Sequence, residues 1–94
     1  GNSIEWNVST GLVQVYALRF KYMNTSGKPI PVLMKFIDAK RVVLKEDIQI
    51  FPETPDKWKM MSTTTGTFIN AGHYKVLLSA DTMEGLAFDA LDIQ

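Results

Sequence analysis

Apolar side chains return at every second position along most of this chain, the spacing at which one face of an extended strand meets a core. The clearest run is 12–22, where Tyr16, Leu18, Phe20 and Tyr22 share one face and Arg19 and Lys21 share the other with Val15 and Ala17. A shorter run at 4–8 precedes it, with Ile4, Trp6 and Val8 on one side. Val32, Met34 and Phe36 form a third face, and Asp38-Ala-Lys40 reads as a hairpin tip. Residues 42–51 follow, with Val42, Leu44, Ile48 and Ile50 on a common side. Residues 58–64, 67–69, a strand carrying Tyr74, Val76 and Leu78, and 86–93 bring the set to about eight. Turn formers separate them, notably Asn24-Thr-Ser-Gly-Lys-Pro29 and a loop stiffened by Pro52 and Pro55. Short strands at regular spacing predict a sandwich or barrel.

One segment departs from this pattern. Asp81-Thr-Met-Glu84 has the form of a helix capping box, and Leu86, Ala87, Ala90 and Leu91 follow at near-helical spacing. Gly85 would fall in the first turns of such a helix, so a loop leading into a last strand is the expectation. No repeat, low-complexity tract or linker divides the chain, and a single domain over 1–94 is expected. The leading Gly suggests a start trimmed from a larger multidomain protein.

Composition narrows the function classes. Ten basic and ten acidic side chains cancel and are interspersed, as in Lys40-Arg41 followed by Glu46-Asp47, so no nucleic-acid partner is expected. Apolar runs stop at three or four residues, too short for a membrane helix, and no membrane partner is expected. With no cysteine there are no disulfides, zinc fingers or thiol chemistry. The one histidine, His73, alternates with Tyr74, Val76 and Leu78 and is expected to face solvent, which leaves no catalytic triad and no transition-metal cluster. No glycine pair forms a G-x-G phosphate loop. A non-catalytic protein is the expectation. The sequons Asn7-Val-Ser9 and Asn24-Thr-Ser26 are triplets of a kind that chance supplies often.

Aromatic residues are the remaining candidates. Trp6 alternates with Ile4 and Val8 and belongs to a core face. Trp58 has two readings: the start of a core strand continued by Met60 and Ser62, or an exposed indole whose face stacks on the C–H face of a sugar ring. Lys57 and Lys59 flank it, and Asp56 lies nearby. Asn70-Ala-Gly-His-Tyr74 fits a tyrosine corner, a feature of immunoglobulin-like sandwiches, which makes that fold the alternative.

Four segments taken in order resemble carbohydrate-binding modules of the family 6, family 35 and related galactose-binding-like group. Phe20-Lys-Tyr-Met-Asn24 is similar to their "F-R-Y-A-N" strand end, and Ile50-Phe-Pro-Glu-Thr-Pro-Asp-Lys-Trp58 to their "f-p-x-T-x-x-W" segment. Asn70-Ala-Gly-His-Tyr-Lys-Val76 resembles their "x-a-G-x-n-x-I" turn, and Leu86-Ala-Phe-Asp-Ala-Leu-Asp-Ile93 their closing "g-x-N-l-D-w-l-x-i" strand. The resemblance implies a jelly-roll β-sandwich acting as an accessory module of a secreted, bacterial glycoside hydrolase, extracellular or periplasmic. Its partners would be a polysaccharide or oligosaccharide and the catalytic domain of the same polypeptide. It implies a glycan contact through Trp58, with Lys57, Lys59 and Asp56 beside it. The family's last-strand Asn falls on Ala87, and its opening segment, with a second aromatic, would lie before residue 4. Asp89 matches one carboxylate of the calcium site found in relatives, a site left incomplete because calcium takes six to eight oxygens. The strand-start Gly of relatives is Gln14 here. A structural sandwich that packs against a catalytic domain without binding sugar is the alternative.

Overall fold

The computed structural model describes residues 2–94 and contains seven strands: β1 (Asn2–Thr10), β2 (Ala17–Asn24), β3 (Ile30–Asp38), β4 (Val43–Phe51), β5 (Lys59–Thr64), β6 (Gly72–Ala80) and β7 (Leu86–Ile93). A four-stranded sheet, β1-β6-β3-β4, lies over a three-stranded sheet, β5-β2-β7, and every pairing is antiparallel. The strands nest around one hairpin: β3 pairs β4, β2 pairs β5, and β1 pairs β6. A ribbon of antiparallel pairs rolled up in this way is the jelly-roll path. An immunoglobulin-like sandwich keeps several consecutive strands as sheet neighbours. Here only β3 and β4 are both consecutive and paired, which decides between the two sandwiches.

The alternating faces meet in the middle. Leu18, Phe20 and Tyr22 of β2 face Val32, Met34 and Phe36 of β3, with Val76 and Leu78 of β6 beside them, and all are buried. Aromatic rings tie the layers together. Phe51 lies edge-on to Tyr22 at 4.9 Å, Phe88 at 5.3 Å and Phe20 at 6.0 Å, and Trp6 meets Phe88 at 5.6 Å and Phe20 at 5.7 Å. Edge-to-face pairs at such distances contribute about 0.5–1.5 kcal/mol each beyond the area they bury.

Three expectations are corrected, and the tyrosine corner and the loop before the last strand are present as expected. Residues 67–69 form no strand; they contribute one bridge, Gln14↔Ile69, so the count is seven. The run at 12–22 divides, because the connection from β1 to β2 must cross between sheets before Ala17 can begin pairing. Tyr16 nevertheless stays buried, and its hydroxyl donates to the Leu12 carbonyl four residues back. Tyr74 makes the same kind of bond to the Asn70 carbonyl at 2.7 Å, so the tyrosine corner exists on a jelly roll. The apolar side of β4 points outward: Ile48 and Ile50 are 56% and 51% exposed, and Val42 and Leu44 are also exposed. Between β6 and β7 the chain makes a turn, with the Leu86 amide donating to the Met83 carbonyl at 2.9 Å, and no helix forms.

Candidate functional site

The loops 25–29, 52–58 and 81–85 gather at one end of the sandwich, because β2, β4 and β6 end there while β3, β5 and β7 begin there. Asn24 holds two of them. Its Nδ2 donates to the carbonyls of Phe51 (2.9 Å) and Lys28 (2.8 Å), and its Oδ1 accepts from the Ser26 amide (3.0 Å) and hydroxyl (2.7 Å). The Asn24 amide donates to Thr54 Oγ1 at 2.7 Å, and the Thr54 amide returns a bond to the Asn24 carbonyl at 2.9 Å. Both side chains are buried, so each donor and acceptor left unpaired here would carry a desolvation cost. This reading removes Asn24 as a glycosylation acceptor, since its amide nitrogen is enclosed and doubly bonded. Tyr22 adds a bond from its hydroxyl to the Pro52 carbonyl at 3.0 Å, and burial pushes its phenol up from the ordinary value, keeping it protonated and donating.

The third loop is clamped at Gly85. Its φ of 86° lies in the left-handed region, and a Cβ built on it would fall 2.8 Å from the Ser26 nitrogen, so only glycine fits. Its carbonyl accepts from the Thr25 amide at 2.8 Å. Between these loops lies a cleft of about 540 Å3 lined by Thr25, Ser26, Lys28, Ile30, Thr82, Glu84 and Gly85.

Trp58 stands one residue before β5 and is 43% exposed, which settles its two readings against a core strand start. Asp56, Lys57 and Lys59 are exposed around it. The loop that carries it is rigid from below: Thr54 is buried and bonded to Asn24, and the Lys57 amide reaches the Thr54 carbonyl at 3.5 Å. Trp58 is not part of the lining of the cleft between the other two loops, so the end of the sandwich offers an indole ledge and a separate polar recess. In the sequence Thr25, Ser26 and Lys28 carry only the signal of turn formers, and nothing there marks the recess.

Asp89 projects from the outer side of the three-stranded sheet and pairs with Lys21 at 3.2 Å. Among the described residues no group of three or more His, Cys, Asp or Glu could hold a metal ion. The donor set around Asp89 therefore does not fit calcium, which needs several oxygens at once. His73 is exposed, and its Nδ1 lies 3.0 Å from the Ser9 hydroxyl.

No protein-family model matches the chain, and no curated protein matches it by sequence. Solved structures do. A family 35 carbohydrate-binding module from Clostridium thermocellum superposes with a TM-score of 0.77 at 23% identity, over 97% of this chain and 68% of that module. A second family 35 module, from an environmental isolate, gives 0.76 at 18% identity over 100% of this chain and 66% of that one. The fold is that of a family 35 carbohydrate-binding module. The same fold is embedded in the isomalto-dextranase of Arthrobacter globiformis solved with panose, where 97% of this chain matches 16% of the enzyme with a TM-score of 0.77 at 20% identity. The chain thus spans about two thirds of the length of the two modules and a small part of the enzyme.

Proposed function

We propose that this chain is a non-catalytic carbohydrate-binding module that contacts glycans through Trp58. The observation that carries this reading is an exposed indole where a braced loop enters β5, on a fold shared with two carbohydrate-binding modules. A sugar ring stacked on the indole replaces water on two apolar faces at once, and the Asn24–Thr54 bonds mean little loop ordering is lost on binding. Lys57 and Lys59 supply donors, and Asp56 an acceptor, for hydroxyls at the rim of the ring. One aromatic contact supports weak binding, with a dissociation constant of about 1 mM. The polypeptide that carries the module is a secreted glycoside hydrolase in this proposal, outside the cytoplasm, with its catalytic domain as the covalent partner.

Backbone amide shifts followed by NMR during titration with β-glucan, xylan, galactan and uronic-acid oligomers test it. Saturable shifts at residues 54–60 with one of these glycans are expected, and Trp58→Ala abolishes them while leaving the fold intact. Flat titrations with all four glycans reject the sugar contact.

A second reading has its own support. At the opposite end of the sandwich Leu12, Val13 and Phe68 are 68%, 62% and 73% exposed, and the Gln14↔Ile69 bridge brings their two loops together. Clustered exposed apolar side chains of this size mark packing surfaces. In this reading the end carrying Phe68 packs against the catalytic domain and Trp58 has no ligand. Loss of domain packing on Phe68→Ser, with no effect of Trp58→Ala on glycan retention, supports it.

A further inference from the structure

We propose a second binding site, for a small oxyanion-bearing ligand, on the outer side of the four-stranded sheet beneath the β3–β4 turn. A cavity of about 670 Å3 lies there, with Ser9, Asp38, Arg41, His73 and Lys75 among its lining. It is at the other end of the molecule from Trp58, since it sits where β1 and β3 end and β6 begins.

The charged residues of the cavity balance in number, Glu5 and Asp38 against Lys75 and Arg41, but they do not all pair with one another. Glu5 is paired with Lys75 at 3.5 Å. The Asp38 carboxylate is engaged by the turn it caps, accepting from the amides of Lys40 (2.8 Å) and Val42 (2.9 Å). Ser9 and His73 bond to one another across the β1–β6 ladder at 3.0 Å. Among the described residues Arg41 makes no ion pair. The cavity therefore presents one guanidinium that no ion pair engages, whose fork matches a carboxylate or sulfate, beside hydroxyl and imidazole groups able to bond the rest of a polar ligand.

The backbone gives an independent reason to single out Arg41. The Arg41 amide donates to the Asp38 carbonyl at 3.0 Å, and the Asp38 amide to the Val42 carbonyl at 3.0 Å, which is a three-residue hairpin loop with a bulge. Such a loop places its last residue in the left-handed region and takes glycine there. Arg41 occupies that position with φ 68° and is the one described non-glycine residue with positive φ. An L-residue is disfavoured in this conformation. The turn thus holds a strained backbone and keeps a guanidinium at the cavity, a combination expected where the side chain has a ligand to meet.

The substitution Arg41→Gly tests this cleanly, because it removes the guanidinium and relieves the turn. Amide shifts of residues 9, 38–42 and 73–75 are followed by NMR at constant ionic strength with three probes: sodium gluconate, sodium sulfate and neutral glucose. Gluconate and sulfate shift these amides saturably, glucose does not, and Arg41→Gly weakens the anions at least tenfold with no fall in melting temperature. Saturation by gluconate at lower concentration than sulfate assigns the hydroxyl-bearing carboxylate as the ligand type; equal saturation assigns the bare oxyanion. Trp58→Ala leaves both titrations unchanged, so failure of the sugar contact does not decide this one. Absence of saturable shifts with either anion, an Arg41→Gly titration equal to wild type, or a loss caused by Trp58→Ala instead overturns the site.

Discussion

β3 and β4 are partners in one hairpin and both alternate apolar with polar residues, yet they use the alternation in opposite senses. In β3 the apolar set Ile30, Val32, Met34 and Phe36 is buried. Directly opposite in the ladder, β4 turns Phe51, Gln49, Asp47 and Lys45 to the same inner side and sends Leu44, Ile48 and Ile50 to the outside. The reason lies at the two ends of β4. Phe51 is fully buried among Phe20, Tyr22 and Phe88, and parity from this anchor decides the faces of β4 back to Lys45, beyond which the register shifts. At the other end Lys45 spans the gap between the sheets, its ammonium bonding the Thr64 carbonyl and, at 3.4 Å, the Thr63 hydroxyl of β5, where Gln49 also arrives at 3.4 Å. The β4–β5 side of the sandwich is thus a polar seam, whereas β3 lies over β2 in the dry middle. Position in the layer, and not alternation, decides whether an apolar stripe is a core.

Substitutions along the two strands should separate these roles. Phe36→Ala and Phe51→Ala each cost about 3–5 kcal/mol, because each leaves a cavity among packed rings. Urea unfolding measures both, and a small loss at Phe51 would remove the anchor that explains the parity of β4. Lys45→Ala should cost about 1 kcal/mol through its lost bonds to β5, an amount that the same denaturation curves resolve. Ile48→Lys should change stability by no more than about 0.5 kcal/mol, as for other exposed positions. A loss at Ile48 as large as that at Phe36 would mean the outer side of β4 is covered, contrary to its 56% exposure.

The loop ends show a similar division between what local pattern carries and what it does not. Asn24 is legible as a turn former, but its six hydrogen bonds to Ser26, Lys28, Phe51 and Thr54 join segments up to 30 residues apart and exist only once the layers are assembled. Trp58 stayed open between core and ledge because it sits just outside a strand, where no alternating neighbour assigns it a side. Asp38-Ala-Lys40 is visible as a hairpin tip, whereas the role of Arg41 depends on which residue takes the left-handed position, and that follows from the turn bonds of Asp38 to Arg41 and Val42. Asp89 matched a motif, and the cross-strand neighbour Lys21 gave it a different partner.

By itself the amino-acid sequence determined that the chain would be all-β, with Tyr16 to Tyr22, Val32 to Phe36 and Tyr74 to Leu78 as core stripes, because a period of two leaves a strand only one way to bury such residues together. It also determined which chemistry is absent, since no cysteine and one histidine are facts of composition. Tertiary structure alone decided that β4 faces outward, that Trp58 forms a ledge, and that Arg41 reaches a cavity. Those outcomes depend on distances between segments far apart in the chain, which the packing of two sheets sets and no local period encodes.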